Sequence, residues 1–164
     1  MTTAVLNDKV ELFKKSIQGI IEVLEKTEDS VLYIKPSEEE WSGMQIVSHV
    51  LEGMDFWIVD LEALLIVPGA KWGRNHEHVR RLAAVDETVV AGLKKEDAIK
   101  ELQSLVPRVE VALGKVKEED LVKTAPSYNP NFEGKPLSFL IDHLIIKHVA
   151  GHYDQLVRHL AKVQ

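Results

Sequence analysis

Seven histidines, His49, His76, His78, His143, His148, His152 and His159, are the side chains whose type and spacing point to chemistry. His148 and His152 stand four positions apart. On a helix that spacing puts both imidazoles on one face, about one turn from each other, close enough to share a metal ion. Seven histidines scattered at random would give about 0.3 such pairs, so the pair needs a third ligand to carry weight. His49 offers one, because it interrupts an apolar run and is flanked by Ile46, Val47, Val50 and Leu51. Three neutral imidazoles leave a divalent ion its full charge and an open coordination position, whereas structural zinc sites are closed by four protein ligands. An ion held in this way lowers the pKa of a bound nucleophile and polarises a carbonyl.

The other histidines fit less well. His76 and His78 flank Glu77 in a polar segment and read as solvated. His159 falls two turns beyond His152, too far to share one ion. The chain has no cysteine, which excludes a disulfide scaffold, a cysteine nucleophile, a zinc finger and an iron–sulfur cluster. There is no Glu-x-x-His for a ferritin-like di-iron centre, and no phosphate loop, dinucleotide fingerprint or nucleophile elbow.

The elements that must position these residues read as helices. From Ala4 to Lys26, the residues Leu6, Val10, Phe13, Ile17, Ile20 and Leu24 recur at steps of three and four. A loop follows over Asp29 to Glu40. Ser42 and Gln45 have capping-box spacing and open a second helix that stops at Pro68-Gly69. Lys71 to Gly92 is mostly polar, with a weak helical pattern around His76 to Val90; the alternative is an ordered crossover covering one end of the bundle. A third helix covers Lys95 to Val116, with Pro107 expected to kink it. Lys117 to Lys135 reads as connection, with a short turn around Glu118 to Leu121. The fourth helix opens with Pro136 in its first turn and runs to about Lys162.

This pattern gives an all-α fold, one four-helix-bundle domain over residues 1–164. An up-down-up-down order is expected. In it, the second and fourth helices run parallel, with His49 about 9 Å and His148 about 17 Å above their helix starts. Of the tryptophans, Trp57 is expected in the core and Trp41 as a staple closing one end of the bundle. Trp72 receives no role.

Composition narrows the partners. With 26 acidic and 20 basic residues the formal charge is −6, which argues against bulk nucleic-acid binding. The longest apolar stretch, Phe56 to Val67, is interrupted by Asp60 and Glu62, so no membrane span is expected. No basic region followed by an apolar run opens the chain, and the expected compartment is the cytoplasm.

Two stretches resemble a known family. Trp41-Ser42-Gly43-Met44-Gln45-Ile46-Val47-Ser48-His49-Val50 is similar to the second-helix signature of the DinB/YfiT-like superfamily. Gly134-Lys135-Pro136-Leu137, leading to His148-Val149-Ala150-Gly151-His152-Tyr153-Asp154-Gln155-Leu156, resembles its last helix. The resemblance implies a four-helix bundle with a three-histidine divalent-metal site, often zinc or nickel. Its ligands here would be His49, His148 and His152, with Gln155 supporting a ligand or packing the helix. It also implies a homodimer acting on a small molecule. Some members look like transferases that use a low-molecular-weight thiol such as bacillithiol or mycothiol. The leading expectation is therefore a metal-dependent thiol S-transferase. The alternatives are a metal-dependent hydrolase and a non-catalytic bundle that binds a ligand or partner. No catalytic side chain beyond the ligands is assigned.

Overall fold

A computed structural model describes residues 4–164 of the 164-residue chain. Residues 1–3, part of the stretch in which no leader is expected, lie outside that range. The described chain is all-α, with no named strand and two isolated β-bridges. Four long helical elements dominate it: α1 (Ala4–Lys26), α3 (Gly43–Ile66), α6 (Lys95–Gly114) and a composite last helix. That last helix joins α7 (Leu137–Phe139), a π-helical stretch (Leu140–Ile146) and α8 (Lys147–Val163). Short helices occupy the connections: α2 (Asp29–Leu32), α4 (Val79–Ala84) and α5 (Glu87–Ala91). Further single turns form at Glu118–Asp120 and Pro130–Phe132.

The apolar faces read from periodicity are the faces that pack. Leu6, Val10, Phe13, Ile17, Ile20 and Leu24 of α1 are all buried, as are Val47, Val50, Met54, Ile58 and Leu61 of α3. α3 begins as its residues dictate. Ser42 Oγ accepts from the Gln45 N–H at 3.1 Å while Gln45 Oε1 accepts from the Ser42 N–H at 2.7 Å, so two orphan amide donors are satisfied together. α6 continues through Pro107 as one helix.

The order of directions differs from the up-down-up-down expectation. α1 packs on α6 and α8, and α3 packs on the same two helices, so α1 and α3 lie diagonally. Lys9 pairs with Asp142, and Gly19 lies under the ring of Tyr153, so α1 and α8 run the same way. Lys14 pairs with Glu110 at 3.1 Å and Lys95 with Asp29 at 2.8 Å, so α1 and α6 are antiparallel. Gly43 faces Leu156 and Leu160 while Gly53 faces His148, so α3 and α8 are antiparallel rather than parallel. The first and last helices point one way and the middle two the other. Measuring heights from the helix starts therefore gives the wrong register: in the antiparallel arrangement His49, six residues after Gly43, comes level with His148 and His152.

Two middle helices pointing the same way need a connection that returns along the bundle. Residues 67–94 make it, and they retrace α3 backwards. Gly73 N–H donates to Asp60 at 2.8 Å, Arg74 bonds Glu52, Ser48 Oγ donates to Ala84 O and Gln45 Nε2 donates to Val85 O at 2.8 Å. The segment is thus an ordered crossover along one side of the bundle, not only over its end. Trp72 anchors it. Its ring is buried, its backbone N–H donates to Pro126 O at 3.0 Å and its carbonyl accepts from the Tyr128 N–H at 2.8 Å. Gly73 beside it has φ of 85°, and a Cβ there would stand 2.8 Å from Ser127 Oγ. Glycine is required at that position both for the backbone conformation and for the close approach.

Candidate metal centre

His49 lies in the second turn of α3, 3% exposed. His148 and His152 lie in the first turns of α8, just after the π-helical stretch. In that stretch the amide bonds shift to i→i−5, as when Lys147 N–H donates to Asp142 O. The three rings converge. Their centroids are 5.3 Å apart for His49 and His148, and 4.6 Å for both His49–His152 and His148–His152. Each offers a ring nitrogen, all within 4.8 Å of one another, and the Nε2 atoms of His49 and His148 are 3.2 Å apart. Two nitrogens about 2.0–2.1 Å from one tetrahedral ion lie about 3.3 Å from each other. The three side chains could hold a metal ion.

Hydrogen bonds set which nitrogen faces inward. A carbonyl oxygen only accepts, so His148 Nδ1 carries the proton it shares with Leu144 O at 3.1 Å, and Nε2 keeps its lone pair. His152 Nδ1 likewise donates to Gln155 Oε1 at 2.7 Å. Gln155 therefore orients a candidate ligand. His49 Nδ1 is buried without a partner. This ring is held by packing: Trp41 lies 5.0 Å from it and stacks on His152 at 6.5 Å. Trp41 covers the back of the cluster, whereas a staple at the end of the bundle is the sequence expectation for it.

The surroundings keep all three imidazoles neutral. Burial is the first cause in each case. It pushes His49 down to about 2, with the neighbouring His152, His148, Arg81 and Arg74 adding to the effect. His148 is lowered to about 4 by burial and by His152, against the Leu144 hydrogen bond. His152 is lowered by burial, partly offset by its bond to Gln155. Neutral imidazole with a free lone pair is the state that binds a metal.

The cluster opens onto a cleft of about 280 Å³ whose far wall is the crossover. Arg74, Asn75, His76 and Arg81 line it, as do His143 and Trp57. His76 is exposed, as its polar neighbours suggest, yet it sits at the mouth of this cleft. The two arginines escape a reading by spacing, because only a weak helical pattern runs through residues 71–92 and no motif includes them. Arg74 is buried, and Glu52 accepts from both its terminal nitrogens at 2.7 and 2.5 Å. His159 lies away from the cluster and bonds Trp41 O at 2.7 Å.

A family model described as the DinB superfamily matches residues 12–156. The chain belongs to the DinB superfamily. No curated protein matches it. The all-α architecture, with His49 on α3 and the histidine pair on the last helix, is that of a DinB-like fold. None of its described helices is long and apolar enough to cross a membrane.

Proposed function

We propose that this DinB-superfamily chain is a metal-dependent enzyme that transfers a low-molecular-weight thiol to a small electrophile. His49, His148 and His152 hold the ion, and zinc or nickel suits three imidazoles. The observation that carries the reading is the convergence of three neutral imidazoles, one buried and two half-buried, at the head of an open cleft. The ion, when bound, supplies a Lewis acid that favours the thiolate over the thiol and fixes its position. The chain does the rest. Leu144 O and Gln155 Oε1 hold two rings with Nε2 inward, and Trp41 excludes water from behind. The crossover supplies the wall against which a substrate is placed. Because the sequence lacks cysteine, the thiol comes from a second small molecule. The same reading takes residues 1–164 as one domain, working in the cytoplasm as a homodimer without a nucleic-acid partner.

The test is turnover of the zinc- and nickel-loaded protein on a panel of electrophiles, with and without bacillithiol, mycothiol or glutathione. The expected result is product formation that needs both metal and thiol. Ester cleavage without thiol assigns the hydrolase instead. Stoichiometric metal with no turnover on any pair assigns a binding module and rejects the enzyme.

A further inference from the structure

The cleft in front of the histidines carries a charge imbalance that metal binding does not use. Two arginines line it, and among the described residues no carboxylate does. Arg74 is accounted for: its side chain is 3% exposed and clasped by Glu52. Arg81 is not. Its Nη1 donates to His76 O at 3.1 Å, and among the described residues no carboxylate bonds it. Glu52 acts on Arg81 only through space, being already bonded to Arg74 and shared with Arg80 at 3.6 Å. Arg81 is partly buried, and it lines the same cleft as the three imidazoles. A part-desolvated guanidinium with an open fork is matched by a planar or tetrahedral anion that accepts two of its N–H groups.

We propose that Arg81 binds an anionic group, a carboxylate or a phosphate, of the small molecule that enters this cleft. That contact turns the rest of the molecule toward His49, His148 and His152. The proposal rests on the reading of the cleft as the reaction site and names its substrate class: a small anion with an apolar body. A cleft of about 280 Å³ with Trp57 and Phe132 in its lining suits such a ligand.

The experiment is calorimetric titration of the full chain, zinc-loaded and zinc-free, with benzoate, phenyl phosphate and the neutral benzamide. Wild type, Arg81→Gln and Arg81→Lys are compared, with zinc content and melting temperature measured on the same samples. Wild type is expected to bind at least one anion, and benzamide at least about tenfold more weakly. Arg81→Gln should weaken the anion by about tenfold or more, and Arg81→Lys by less, with zinc content and melting temperature unchanged. The stronger of the two anions identifies the group. Equal binding of benzamide, anion binding unchanged in Arg81→Gln, or no anion binding to wild type at millimolar concentration overturns the proposal. Failure of the metal reading shows separately, as wild-type protein that takes up no zinc.

Discussion

The last helix carries two kinds of sheltered histidine, and their difference separates a structural imidazole from one with chemistry left to do. His159, 8% exposed, spends both its nitrogens locally: Nδ1 bonds Trp41 O at 2.7 Å and Nε2 lies 3.6 Å from the Glu40 carboxylate. It ties the helix end to the segment that leads into α3. His152 and His148, about two and three turns earlier, each use Nδ1 on a local acceptor and turn Nε2 toward other imidazoles. Among the described residues no carboxylate is paired with them. Burial is common to both places. What differs is what the second nitrogen faces: a carboxylate for His159, and other imidazoles that can share a metal ion for the pair.

That contrast can be broken most sharply by removing each kind of ring. His148→Ala/His152→Ala should abolish stoichiometric zinc binding, read by elemental analysis after reconstitution, with the helical circular dichroism retained. An unchanged metal content would end the metal reading. Acid comes next in size. His148 has its folded pKa lowered from 6.5 to about 4, so the unfolded chain binds the extra proton between those values. Stability is therefore unaffected above about pH 6.5 and falls as the pH drops toward 4, by about 3 kcal/mol from this group. Urea midpoints of metal-free protein at intervals across that window check the slope, which His148→Gln should flatten. Gln155→Leu takes the acceptor from His152 Nδ1 and should weaken zinc by roughly 10- to 100-fold, read by competition with a chelator, with little change in melting temperature. His159→Ala is the converse case. It should cost about 1–3 kcal/mol in urea unfolding, because Trp41 O loses its donor, and leave zinc affinity unaltered. A His159→Ala protein that loses metal would erase the distinction between the two places.

Much of this is legible in the sequence alone. Apolar residues at steps of three and four mark the faces of α1 and α3 that pack, and the Ser42–Gln45 spacing marks the start of α3 to the residue. His49, His148 and His152 follow from ligand chemistry and from the resemblance of the two motifs, and the structure brings all three together. The direction of α3 against α8 was not legible. Periodicity says which face of a helix is buried but not which way its neighbour points, and that is decided by the route of residues 67–94. The route depends on bonds between distant positions, such as Arg74 with Glu52 and Gln45 with Val85, for which the local sequence holds no pattern. Arg74 and Arg81 stayed hidden for the same reason. Trp41 is expected as a staple, and its position just before the N-cap also sets its ring against His49 and His152, a contact that no local spacing announces.

The cluster joins α3 to α8, and the nearest pair across the two helices, His49 and His148, stands nearly a hundred positions apart along the chain. Any guest gripped by both rods therefore clasps a loop that spans most of the polypeptide, including the returning strap and α6. Such a clasp acts as a reversible cross-link: it favours the folded chain over the open one in proportion to guest concentration, so thermal resistance should track how well the cell supplies that guest.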